Sequence, residues 1–235
     1  MWPRTPSRVS IGTDSAYRIC ALILPSRGVA LQKRTIVMIR LYDYLPSGNG
    51  YKVRLLLTQL GIPFERIELD ILKGTTRTPE FLQKNLNGRI PVVELEDGGF
   101  LAESNAILFY FADGTSFLPA DRWQRAQALQ WMFFEQYSHE PNIATSRFWL
   151  QHFELTPERK AALAQKRPLG YAALDVMEKH VTGRSFFVGE QYSIADIALY
   201  AYTHVAGEGG FDLAAYPGDR AVVASARQGR GGPSP

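Results

Sequence analysis

Two short stretches carry polar side chains at spacings that could do chemistry. Ser47 and Asn49 stand in Leu45-Pro46-Ser47-Gly48-Asn49-Gly50. Just beyond, Val53, Leu56, Leu57 and Leu60 recur at i, i+3, i+4 and i+7, one face of a helix. A serine or an asparagine at such a start caps a helix well. The second stretch runs from Asn87 to Ser104. Asn87-Gly88 is a turn signal, and Ile90-Pro91 then opens the apolar run Val92-Val93-Glu94-Leu95, a strand by its β-branched content. Asp97-Gly98-Gly99 folds that strand back onto Phe100-Leu101 as a hairpin. A proline at a strand start cannot donate to the ladder and marks an edge or a special bend. With a cis Ile90-Pro91 bond, the Ile90 backbone would turn outward and offer its N–H and C=O to a ligand. Glu103-Ser104 follows at the mouth of the next helix, where free N–H groups and the helix dipole favour an anion. An outward backbone beside an anion cradle suits an extended peptide with a free carboxylate.

Other chemistries find little support. Cys20 is the only cysteine, so there is neither a disulfide framework nor a cysteine-based zinc site. His139, His152, His180 and His204 share no ligand spacing on one helical face, and no metal is expected. The pI of about 9.0 comes from the ends of the chain. Residues 1–37 hold six Lys/Arg and one acid, and residues 218–235 hold three Arg and one Asp. With a total of +3, the body is left at 3 − 5 − 2 = −4. Basic ends can touch nucleic acid or anionic membranes, but solvated tails are the plainer reading. The body has no basic helix with interleaved aromatics, so no nucleic-acid partner is expected. No apolar run approaches the roughly 20 residues of a membrane span. The patch from Ile19 to Leu24 is shorter than the ~7–15 residues of a signal-peptide core. A cytoplasmic protein without a membrane partner is expected.

The elements that must position these residues fall into two groups. Residues 1–37, rich in Arg, Ser and Pro, read as a disordered extension. Met38 stands immediately before a strand and is expected to be the native start. From 38 to 113 the order is β-α-β-α-β-β-α, a thioredoxin-like layout with a parallel βαβ half. Its strands include Ile39 to Tyr44, with Tyr42 alternating into the core, and Phe64 to Leu69. Gly61 stops the first helix, and Thr78-Pro79-Glu80 opens a short one. A linker with Gly114 and Pro119 leads to a region over 121–217 with helical patterns only. The first helix there runs to about Tyr137 and a second from about Ile143 to His152. Thr156-Pro157-Glu158 caps a third, which Pro168 is expected to kink or break and Gly183 to end. Ser193-Ile194-Ala195-Asp196 reads as a capping box, with Asp in place of the usual Glu or Gln. Residues 218–235 are an atypical tail rich in Arg, Gly and Ser, where a last helix would be short and frayed. The fold class is therefore an α/β thioredoxin-like N-terminal domain plus an all-α C-terminal helical domain.

Ile90-Pro91, the short hairpin and Glu103-Ser104 before a helix resemble the glutathione-binding half of cytosolic glutathione S-transferases. The likeness extends from about Met38 to Pro217 and is nearest to theta-like and bacterial members with a serine in the active-site loop. It implies an enzyme, with glutathione as co-substrate and the fold just described. Ser47 would then occupy the position of the activating serine, and Asn49 would be its helper or substitute donor to the sulfur; Tyr42 or Tyr44 could supply a hydroxyl instead. A free thiol titrates near 8.5, and lowering that by about 2 units requires roughly 2.7 kcal/mol of preferential anion stabilisation. A hydroxyl donor to a charged acceptor gives about 1.5–3 kcal/mol, so one well-placed serine suffices in principle. The resemblance further assigns the Ile90 backbone, set by Pro91, to the cysteinyl unit. Glu103 would take the γ-glutamyl amino group and Ser104 its carboxylate, with Arg89 a candidate for the glycyl carboxylate. Many related bacterial sequences carry a cysteine near this loop, where Gly50 stands; its absence argues against a mixed-disulfide intermediate with the enzyme. The second substrate would be a small hydrophobic electrophile between the domains, with Tyr137, Phe148 and Trp149 as candidate liners. A homodimer is expected by resemblance alone. Two other readings remain open: a non-catalytic binding or regulatory protein of the same fold, and a glutathione-dependent peroxidase or disulfide reductase.

Overall fold

The computed structural model describes residues 38–219. The expected extension over 1–37 and the tail from 220 onward lie outside the described residues. The fold is a thioredoxin-like α/β unit followed by an all-helical one. Strands β1 (Ile39–Asp43), β2 (Phe64–Glu68), β3 (Val92–Glu94) and β4 (Phe100–Ala102) form one sheet in the order β2-β1-β3-β4. β1 pairs parallel with β2 and antiparallel with β3, and β3 and β4 form the hairpin. Helices α1 (Gly48–Gln59), α2 (Pro79–Leu82) and α3 (Ser104–Ala112) complete the first half; α4 (Arg122–Phe134), α5 (Glu140–His152), α6 (Pro157–Val181) and α7 (Ile194–Thr203) make the second.

The apolar pattern explains the packing. Ile39 and Leu41 of β1 and Val93 of β3 meet Val53 and Leu57 of α1 and Ile107 of α3. Tyr42 departs from expectation. It lies on the opposite face of the sheet from Leu41, half-buried against the edge of Phe81 in α2, and its hydroxyl donates to Glu94. Strict alternation puts it there once Leu41 takes the core side. A second cluster joins the halves: Leu56 of α1 and Leu108 of α3 pack with Ile194, Ile197 and Ala198 of α7. At the start of α1, neighbouring side chains approach the backbone too closely to admit a Cβ. A Cβ at Gly48 would collide with the Tyr202 ring, and one at Gly50 with the Asp43 carboxylate.

The helical half corrects two expectations. α4 does not stop before α5 but widens into a π-helical turn, Glu135–His139, which runs straight into it. Pro141, in the first turn of α5, has no N–H to give the preceding turn, and the chain widens just ahead of it. Pro168 neither ends nor splits α6, which continues for 25 residues. Both Pro168 and Ala164, whose carbonyl loses its partner there, are exposed, so water can answer that carbonyl. Gly183, at φ +75°, follows the end of α6 as expected. The capping box at α7 is complete in both directions.

Candidate active site

Ser47, Asn49, Arg89, Ile90, Pro91, Glu103 and Ser104 all line one cleft of about 450 Å³. Its other wall comes from the helical half, through Glu140, Ala144, Arg147, Phe148, His152 and Tyr202. Phe148 is therefore a liner, whereas Tyr137 stands out in solvent at 87% exposure and Trp149 lies elsewhere, under the Lys166 ammonium. Tyr44 borders the cleft; Tyr42 does not.

The Ile90-Pro91 bond is cis, and Val92 begins β3 immediately after it. The Ile90 backbone groups make no hydrogen bond to another described residue. Glu103, exposed and at the N-cap of α3, has φ +68°, a backbone region that non-glycine residues rarely enter. Its side chain makes no capping bond, so the first N–H groups of α3 face the cleft uncapped by the chain itself. Ser104 is buried with its hydroxyl 3.1 Å from Asn49 Oδ1. Arg89 is exposed at the rim.

Ser47 is the N-cap of α1, and its Oγ accepts the Gly50 N–H at 3.2 Å. That bond uses a lone pair, and the hydroxyl also interacts with the Tyr202 phenol oxygen, the direction in which its proton can point. The Asn49 N–H donates to the Tyr202 hydroxyl at 3.1 Å. Burial pushes the Tyr202 phenol well above its ordinary value, so it stays protonated. Gly50, where a cysteine was conceivable, faces Asp43 with no room for any side chain.

Four residues of this site escape sequence reasoning. Lys52 is wholly buried and donates to Glu135 at 2.8 Å, to Asn49 Oδ1 at 2.8 Å and to Ser104 Oγ at 3.4 Å. Glu135, also wholly buried, sits in the π turn, where it accepts from Asn105 and Gln136 as well. Glu140 accepts from Asn49 Nδ2 at 3.2 Å; burial raises its carboxyl above the usual range, against the pull of Lys52. Tyr202 is the fourth. Only the placement of Lys52 one residue before the apolar stripe hinted that it points toward the protein. Among the described residues, no cluster of three or more His, Cys, Asp or Glu could hold a metal, and no helix is long and apolar enough to cross a membrane.

Sheet, cis-proline, helix mouths and helical wall define a protein of two unlike halves with its site at their seam. Residues 37–113 match the glutathione S-transferase N-terminal domain family, and residues 128–218 match the corresponding C-terminal domain family. The chain belongs to the glutathione S-transferase family. A solved glutathione S-transferase from Pseudomonas fluorescens Pf-5 is 55% identical, with a TM-score of 0.78 over 80% of this chain and 93% of that one. The disulfide-bond oxidoreductase YfcG of Escherichia coli K12 is 33% identical over 77% of this chain and 86% of its own length. A glutathione transferase from Burkholderia graminis, solved with two glutathione molecules per subunit, is 28% identical, with a TM-score of 0.72 over 82% and 87%.

Proposed function

We propose that this chain is a glutathione transferase that holds the glutathione sulfur as a thiolate for attack on a small apolar electrophile. One observation carries the reading: the cis-proline backbone, the uncapped mouth of α3 with Glu103 and Ser104, and the Ser47 and Asn49 donors share one cleft. In this reading the Ile90 N–H and C=O pair with the cysteinyl unit of the tripeptide. Ser104 and the α3 N–H groups take the γ-glutamyl carboxylate, Glu103 its amino group, and Arg89 the glycyl carboxylate. The sulfur then lies by Ser47 and Asn49, whose proton donors favour its anionic form. The thiolate displaces or adds to the electrophile, and the proton it shed leaves to solvent. A cytoplasmic thiol pool suits such an enzyme. The exposed Tyr110, Trp123 and Phe133 on α3 and α4 support a homodimer, which light scattering in solution tests.

A second reading, glutathione-dependent disulfide reduction, is favoured by the polar outer wall. Arg147, Thr145, Gln136 and His152 stand there beside Phe148 and Ala144. Such a wall suits a second polar thiol compound better than a purely apolar electrophile. The name of the Escherichia coli relative points the same way, and the Burkholderia graminis structure holds two glutathione molecules in one subunit. In that chemistry the thiolate attacks one sulfur of the disulfide, forms a new S–S bond and releases the other sulfur as a thiol.

Assays with glutathione and a panel of electrophiles, hydroperoxides and small disulfides test both. Ser47→Ala is expected to lower the rate at least tenfold, corresponding to about 1.4 kcal/mol. Full rate in Ser47→Ala with every acceptor would refute the assigned role. Turnover confined to disulfides would select the second reading.

A further inference from the structure

Lys52 is a wholly buried cation next to the donors of the site, and its contacts have a directional consequence. Its ammonium meets Asn49 Oδ1 at 2.8 Å, Glu135 Oε2 at 2.8 Å and Ser104 Oγ at 3.4 Å. An ammonium donates and never accepts. The end of the Asn49 amide facing it is therefore the oxygen, and the NH₂ end is turned toward the cleft. There Nδ2 gives one proton to Glu140 Oε1 at 3.2 Å, and its second proton remains for another acceptor. The other neighbours cannot impose that orientation alone. The Ser104 hydroxyl, 3.1 Å from Oδ1, can donate to an amide oxygen or accept from an amide nitrogen. A protonated Glu140 carboxyl has the same freedom. The Tyr202 hydroxyl engages the Asn49 backbone, not its amide.

Glu135 fixes the cation in turn. Its Oε2 also accepts from Asn105 Nδ2 at 3.2 Å and from Gln136 Nε2 at 2.8 Å. Asn105 adjoins Ser104 at the mouth of α3, so the π turn, α1 and α3 meet on one carboxylate. π-Helical turns recur at functional sites, and here one carries the anchoring acid across from the helical half.

We propose that the buried Lys52–Glu135 pair is a positioning device that locks the Asn49 amide with its NH₂ toward the glutathione sulfur. The inference rests on the reading above, in which the sulfur lies beside Ser47 and Asn49. Lys52 and Glu135 do not touch the sulfur; they act through Asn49.

The test removes the pair together, because a single replacement strands a buried charge while apolar replacement of both members is often tolerated. Lys52→Met/Glu135→Met is expected to fold cooperatively and to keep its KM for glutathione within a few-fold. Its kcat is expected to fall about tenfold, and the acid limb of kcat at saturating glutathione and the ultraviolet absorbance of bound thiolate to move about one pH unit upward. In an Asn49→Ala background the same pair removal is expected to cause no further loss. Should that double variant fail to fold, Lys52→Met/Glu135→Gln keeps an oxygen for Asn105 and Gln136 and carries the same readouts. An unshifted acid limb, or equal losses with and without Asn49, would overturn the inference. A wild-type protein with no glutathione-thiolate absorbance at any pH would instead overturn the functional reading, and the inference with it.

Discussion

The mouths of α3 and α7 are built from the same residue types, yet one is left open and the other is sealed. At α7, Ser193 and Asp196 answer each other: Asp196 accepts the Ser193 N–H at 2.8 Å and its hydroxyl at 2.9 Å, and its other oxygen takes the Phe187 N–H at 2.9 Å. Both residues are buried, so no ligand can reach them. At α3, Glu103 makes no capping bond, stands at φ +68° and opens onto the cleft. An acid and a serine at a helix start thus seal it where the chain satisfies its own N–H groups; where the chain leaves them, the groups stay open to a ligand, the role proposed for α3.

Replacing Asp196 should show the sealed mouth as purely structural. Asp196→Ala removes three hydrogen bonds and leaves buried donors unanswered, so a loss of about 3 kcal/mol at pH 7 is expected in denaturant unfolding. Glutathione affinity of the folded protein should be unchanged. A pH series sharpens the contrast. Burial lifts the Asp196 carboxyl from 3.8 to about 6, outweighing the hydrogen bonds that favour its ionised form. An acid with a raised folded pKa gives its full stabilisation below the unfolded value and loses it as pH rises through the folded one. The stability advantage of wild type over Asp196→Asn should therefore shrink by about 2 kcal/mol from pH 4 to pH 7. A constant difference would place the carboxyl at its ordinary value.

The open mouth should respond the other way. Ser104→Ala is expected to weaken glutathione binding about tenfold or more, near 1.5 kcal/mol, from loss of a hydroxyl that serves a carboxylate. Its melting temperature should move far less than that of Asp196→Ala. The smallest effect is the most diagnostic. Glu103→Gly removes the backbone penalty at φ +68° and should raise stability by about 1 kcal/mol while lowering glutathione affinity. A Glu103→Gly protein that is both less stable and equally good at binding would erase the distinction between the two mouths.

Local chemistry makes much of this legible in the sequence. The element types, the stop at Gly61, the cap Thr78-Pro79, the hairpin at Asp97-Gly98-Gly99 and the α7 box follow from residues within a turn or two of one another. Ile90-Pro91 and Glu103-Ser104 stand out in the sequence because a proline at a strand start and a helix mouth are local features too, whereas the roles proposed for them come from the resemblance. What stayed hidden depends on distant partners. Lys52 has the look of an ordinary helix lysine until Glu135, 83 positions on, meets it in the interior. Glu140 and Tyr202 likewise reach the site only when the helical half folds over it. Pro168 misled because its cost depends on exposure, which its sequence neighbours do not reveal.

The central claim is that this cleft grips a γ-linked tripeptide through the Ile90 backbone and the open mouth of α3. Titration calorimetry with glutathione on wild type and Ser104→Ala tests it most directly. Saturable heat for wild type and at least tenfold weaker binding for Ser104→Ala are predicted. No heat and no thermal shift for wild type at millimolar glutathione would contradict the claim.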